Sequence, residues 1–359
     1  MNKGFSKEQS NIAKGIAVFL LLFHHVFYDY FVMGEESSQI FLMPKITGLL
    51  CKYGNVCIFI FATISGYGIA KSMEKNGYDI KETFIKREIN LLMVFVPTFL
   101  VCSILYIVFN ANGLNSYLTI YGLGQYSAVS VMFRVLISMF GLSKVFHMPD
   151  MNATWWYMSA AHIIIAVLPI LIKIAKKHCL RIVILFLLGG YCAYIKVDYP
   201  PLSACLLASY IGFLVSDSTL FDGQFDIKGK LLIFALCIVS IFIGICLMET
   251  LSGYFVFSFL GVAFMMLSKY CLPRIACKPI SIVGKNSDVI FMIHTMVVSL
   301  IDLSNNIVFG FKYAAMSYIF VLLVSIAISF LIHAILGSKP FLGLKNRMVV
   351  GLMKANGHI

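Results

Sequence analysis

Apolar runs of roughly 18 residues or more recur along this chain from Asn11 to Leu336, and a bilayer core needs about 20 helical residues to cross it. Composition agrees, with 60% hydrophobic and 12% charged residues among 359 and a mean hydropathy of +0.91, so water is not the main solvent. In hydrocarbon a helix satisfies its own backbone groups, and the dyad pattern of a membrane barrel is absent. The expected fold is all-α: a polytopic transmembrane bundle of about ten spans. They are placed at 11–32, 48–70, 88–109, 153–173, 180–196, 201–216, 230–249, 251–268, 287–303 and 314–336. The apolar segment 126–142 has Arg134 in its middle and reads as an interfacial helix.

The positive-inside rule then fixes the expected orientation. With both termini cytoplasmic, all of the 28 Lys and Arg lie on inner segments except Lys45, Lys52, Arg134, Lys144, Lys196 and Lys312. The net charge of +12 therefore calls for no nucleic-acid partner. Anionic membrane lipids account for it, and a phosphorylated cytosolic ligand is the more specific partner. The ten cysteines are scattered without a Cys-x-x-Cys pair, which predicts packing residues and neither a disulfide framework nor a metal site. The first apolar run lacks a small-residue cleavage site at its end and reads as a retained helix. The expectation is one integral domain over 1–359, with no appended soluble domain, multi-pass in the plasma membrane.

The first helix carries the densest chemistry: Lys14, His24, His25 and Asp29 interrupt an otherwise apolar run. Ionisable residues at membrane depth point to function. Lys14 and His25 are eleven positions apart, hence about 20° apart on one face and about 16 Å apart along the axis. Asp29 would follow His25 by one turn, close enough to orient its ring. His24 points about 100° away and reads as packing. A snorkelling lysine with hydrogen-bonded core histidines is the competing explanation of this helix.

Several segments, taken in order, resemble the acyltransferase-3 family of bacterial membrane acyltransferases. The family's first helix has an Arg, ten residues, then an essential His; here Lys14 replaces the Arg, keeping the charge without the bidentate fork, and His25 matches. CIFIFATISGYGIAKS resembles the second helix through Ser65, Gly66 and Tyr67. TFIKREINLLMVFVP resembles the basic start of the third, with Arg87 and Pro97 matching, Asn90 where a second Arg is expected, and Lys86 nearby to compensate. WWYMSAAHIIIAVLPIL matches through Trp156, Tyr157 and Pro169, and IVGKNSDVIFMIHTMVV through Gly284, Lys285, Ser287 and His294.

The resemblance implies transfer of an acyl group, usually acetyl, from a cytosolic coenzyme A thioester to a hydroxyl on a glycan or other cell-envelope acceptor outside the membrane. Acetyl-CoA, or another acyl-CoA, is then a donor and not a resident cofactor. Its phosphates would meet Lys14, Lys86 and Arg87 on the inner face. Imidazole, with an unperturbed pKa of about 6.5, suits the general base that a hydroxyl nucleophile needs, which assigns His25, with Asp29 beside it. Trp156, Tyr157 and His294 are candidates for the acceptor side, and His162 is a further polar residue of the outer half. Two other classes fit the same residues: a proton-coupled transporter or flippase of a lipid-linked glycan or small anion, relaying protons through His25 and Asp29, and a scaffolding module without turnover.

Overall fold

In the computed structural model of the chain, residues 4–34, 38–194, 201–247 and 253–355 are described. Among them the regular structure is helical. The first five helices are α1 (Lys7–Val26), α2 (Tyr28–Phe31), α3 (Pro44–Tyr53), α4 (Val56–Lys75) and α5 (Ile80–Phe109). Next come α6 (Gly113–Ile120), α7 (Ala128–Met139), α8 (Trp156–Ile174), α9 (His178–Tyr194) and α10 (Leu202–Ser216). The last seven are α11 (Ile227–Leu247), α12 (Gly253–Met266), α13 (Arg274–Lys285), α14 (Ser287–Thr295), α15 (Asp302–Gly310), α16 (Ala314–Leu336) and α17 (Lys339–Ala355).

Length and composition qualify six of these helices to cross a membrane, or seven if a bent pair counts as one span. The expected ten thus contract on this measure. α9 and α10 are short apolar helices, and α1, with Lys14, His24 and His25 in its run, falls outside the qualifying set. The end of the span expected at 180–196, with Lys196, lies outside the described residues, as do the junction residues of the spans 230–249 and 251–268. The segment 126–142 forms only the 12-residue α7, too short to span, with the Arg134 guanidinium 3.8 Å over the Tyr126 ring.

The chain falls into two compact units, each assembled from separated stretches. The first comprises Met1–Val18, Asn55–Arg87 and Ala160–Lys285. Its centre is α4, 72% of whose apolar stretch is buried, against 17% for α11, whose flank is left for lipid. Small residues let the backbones touch. A Cβ on Gly66 of α4 would lie 1.8 Å from the Ser209 carbonyl oxygen of α10, and one on Gly212 would lie 2.0 Å from that of Thr63. A Cβ on Gly261 of α12 would meet the Thr63 hydroxyl at 2.1 Å, so α4, α10 and α12 form one close-packed set. Thr63 turns its hydroxyl back to the Phe59 carbonyl at 2.7 Å, which leaves no polar group unpaired there.

The second unit comprises Phe19–Gly54, Glu88–Ser159 and Asn286–Ile359. Here helices are interrupted. α1 stops at Val26, and Phe27 leaves helical geometry at φ −117°, ψ 12°, so the span expected over 11–32 is not one helix. Nothing local breaks it; Phe27 turns inward onto Phe41 at 5.5 Å, Tyr30 stacks on the same ring and Phe31 meets it edge-on. The span expected over 48–70 likewise divides into α3 and α4, with Gly54 at the break, where a Cβ would meet the Leu20 carbonyl at 2.5 Å. The span expected over 287–303 runs through α14 and a π-helical turn (Met296–Leu300), then bends by 80° into α15. Asn110 bridges that bend: its amide donates to the Leu300 carbonyl at 2.6 Å, and its oxygen accepts the Asp302 N–H at 3.1 Å.

Candidate active site

In the second unit the end of α1 and the last turn of α14 bring three imidazoles into a row. The half-buried His25 ring lies 4.9 Å from that of His24 and 4.8 Å from that of His294, measured between centroids. His24 Nδ1 meets the Cys51 carbonyl at 2.8 Å, and Cys51 Sγ returns a bond to the His24 carbonyl at 3.5 Å, which ties α1 to α3. The close approach at Gly54 makes this pairing possible.

His294 is fully buried. Its Nδ1 faces two carbonyl oxygens of its own helix, Phe291 at 2.9 Å and Ile290 at 3.2 Å. Carbonyl oxygens only accept, so Nδ1 carries the proton and Nε2 of the neutral ring presents a lone pair. That Nε2 is buried without a hydrogen-bond partner. Orphaned buried acceptors are uncommon, and a substrate site is one setting in which they occur.

The helix bearing His294 is held from outside. Where α14 passes into the π-helical turn, the Met296 N–H bonds to Ile293, and the Met292 carbonyl accepts the Trp155 indole N–H at 2.9 Å and the Asn152 amide at 3.1 Å. Asn152 in turn takes both the N–H and the hydroxyl of Thr154, at 2.9 and 2.7 Å. π-helical turns inside α-helices are frequent at functional sites. In the connecting segment before Asn152, Tyr121 donates to Ser138 at 3.2 Å, and Ser138 donates to Asp150 at 2.7 Å. Burial raises the Asp150 carboxyl above its ordinary value, against the Ser138 hydrogen bond, which favours the anion.

The other expected residues separate. Asp29 sits exposed on α2, beyond the break at Phe27, so the one-turn relation to His25 that the sequence suggested does not form. Trp156 and Tyr157 are buried, Tyr157 against Phe291 at 5.2 Å, and present no open stacking face. His162 is half-buried on α8. In the first unit, Lys14 is half-buried on α1, exposed Lys86 pairs with Glu82 one turn earlier, and Arg87 donates to the Gly68 carbonyl at 2.7 Å, bracing α4 against α5.

A cavity of about 920 Å³ opens in that unit, lined by Lys7, Tyr67, Lys71, Lys75, Ser216 and Asp222 among others. None of the three expected phosphate-binding residues lines it. Among the described residues no three His, Cys, Asp or Glu side chains converge as a metal site.

The sequence singled out His25 and His294 separately but not their contact, nor Asn152, Trp155 and the cavity lysines. Lys71 and Lys75, four apart at the end of α4, did carry a signal, since that spacing puts both on one helical face.

A family model described as an acyltransferase domain matches residues 8–334. No curated protein and no solved structure matches the chain. The matched stretch takes in every helix from α2 to α15 and both residues of the His25–His294 contact, and on that match the chain belongs to the acyltransferase-3 family of membrane acyltransferases.

Proposed function

We propose that the protein is a membrane O-acyltransferase that moves an acyl group, acetyl in the simplest case, from a cytosolic coenzyme A thioester to a hydroxyl of an extracytoplasmic glycan or other envelope acceptor. The observation that carries this reading is the half-buried imidazole of His25 at the end of an apolar helix, in contact with a second, fully buried imidazole. A sugar hydroxyl is a weak nucleophile at neutral pH, and a positioned imidazole is the side chain best matched to take its proton. His25 removes that proton as the oxygen attacks the thioester carbonyl. The C–S bond breaks, and the proton passes to the departing thiolate, which regenerates neutral His25 and free coenzyme A.

The donor is polyanionic, and its phosphates need cations. Lys14, Lys86 and Arg87 are the first candidates, joined by Lys7, Lys71 and Lys75 around the cavity of the first unit. Arg87 and Lys86 already hold protein partners and would have to share or exchange them. The buried phenol of Tyr157, against Phe291 of α14 on one side and the Trp156 indole on the other, supports the acceptor side by packing rather than by stacking on a sugar.

The test is thiol release from acetyl-CoA by the full chain in proteoliposomes, together with mass spectrometry of surface glycans from cells with and without the protein. An acyl-sized mass difference, lost in the His25→Ala variant, is expected. Full transfer by that variant, or no mass difference, would overturn the reading. Uptake driven by a pH gradient without thioester consumption would mark a transporter instead.

A further inference from the structure

We infer that His294 is the positioning residue of the base: its Nε2 lone pair accepts the N–H of His25 and thereby fixes which nitrogen of His25 is free to take the acceptor's proton. The inference rests on His25 being the base and says what orients it.

The tautomer of His294 is set by its own helix. Its Nδ1–H is spent on the carbonyls of Ile290 and Phe291, so Nε2 is left as an acceptor only. That atom is buried and unpartnered, and the ring in contact with it is His25, 4.8 Å away between centroids and tilted by 54°. An N–H···N hydrogen bond of ordinary length places two imidazole centroids roughly 5 Å apart. The spacing already suits such a bond, and a turn of the His25 ring closes it. The His25 nitrogen that faces His294 must then carry hydrogen, which leaves the opposite nitrogen with its lone pair for the hydroxyl.

When His25 takes the proton, its N–H toward His294 belongs to an imidazolium, and the bond becomes charge-assisted and stronger. His294 gains and loses no proton in the cycle. This is the function of the third member of a catalytic triad, supplied here by a neutral ring instead of a carboxylate.

His24 is less suited to the task. Its ring lies as near, 4.9 Å between centroids, but it meets His25 edge-on at 77° and is only half-buried, and its Nε2 is not a buried, unpartnered atom as that of His294 is. Asp29, which the sequence offered for this role, lies beyond the helix break. His294 is in turn held by its surroundings: the carbonyl of Met292 is gripped by Trp155 and Asn152, which fixes the rotation of α14 at that level.

The experiment compares His25→Ala, His294→Ala and His294→Gln in the full chain, with acetyl-CoA as donor and thiol release as the readout. Gln places an amide near the position of Nε2 and can still accept a hydrogen bond, whereas Ala cannot. His294→Ala is expected to lower kcat about a hundredfold with the donor KM within about twofold, and His294→Gln to recover at least about tenfold of that loss. An unchanged kcat in His294→Ala, a loss that appears in KM alone, or no recovery by Gln would overturn the inference. Full activity in His25→Ala would instead overturn the base assignment itself.

Because a buried substitution can unfold the bundle, nitrogen-15 spectroscopy of histidine-labelled wild-type protein supplies an independent reading. His294 is expected as the Nδ1–H tautomer with Nε2 accepting a hydrogen bond. The Nε2–H tautomer would overturn the proposal whatever the variants do.

Discussion

The α4–α10–α12 set and the histidine row are built on opposite principles. In the first, glycines bring backbones into contact, and the Thr63 hydroxyl at the crossing is satisfied within its own helix. In the second, one helix ends early, another passes through a π-helical turn, and a buried imidazole nitrogen lacks a partner. Close packing in hydrocarbon yields stability through van der Waals contact between small residues. Irregular helices with an unsatisfied polar atom lower it, and proteins retain such departures from local rules where they serve function. The contrast separates the part of the chain that holds itself together from the part that can act on something else.

Substitutions should therefore fail in different currencies in the two regions. The largest effect expected is His25→Ala, with acyl transfer down by about 10²- to 10⁴-fold and the detergent-solubilised melting profile unchanged. A loss of folded protein in place of activity would erase the contrast. Gly66→Val should do the reverse. Its Cβ would sit 1.8 Å from a backbone oxygen that cannot yield, and destabilisation at or beyond the top of the ~1–3 kcal/mol overpacking range is expected in thermal unfolding. Gly190→Ala on α9, where nothing lies within 4 Å, is the matching control and should be neutral or slightly stabilising.

Smaller effects test the support of α14. Asn152→Ala strands the two Thr154 donors and removes one of the two donors to Met292, for an expected loss of about 1–3 kcal/mol. Trp155→Phe removes only the other and should lose about 1 kcal/mol, read by the same thermal assay. The smallest effect concerns Asp150, whose folded carboxyl binds its proton more tightly than the ordinary value of 3.8. The folded state then holds more protons than the unfolded chain between that value and the raised one, so stability falls as pH rises through this window, and the penalty stays in full above it. Asp150→Asn should flatten that slope, and an unchanged slope would mean that other carboxyls set it.

Much of the fold was legible because bilayer thickness imposes a length that hydropathy reports directly. The helix expected at 314–336 is found over Ala314–Leu336, and the arginine-bearing segment around Arg134 forms a helix of only 12 residues. What could not be read was caused by contacts between distant residues. Phe27 ends α1 without proline or glycine nearby, because Phe41 receives its ring. Without that break in view, Asp29 looked like the neighbour of His25 by periodicity, while the actual neighbour comes from the other end of the chain. Trp155 was passed over for Trp156 because adjacency in sequence says nothing about which indole finds a carbonyl.

Asn110 gives the bend after the π-helical turn a further meaning. A side-chain amide has the same donor and acceptor as a peptide group, and here it is spliced between the two half-helices as though it were one more residue of the chain. The carbonyl at one broken end and the N–H at the other are thereby satisfied without water. An 80° turn within an expected span is therefore a hydrogen-bonded joint, and swinging α15 against the segment that carries His294 would first have to unmake it.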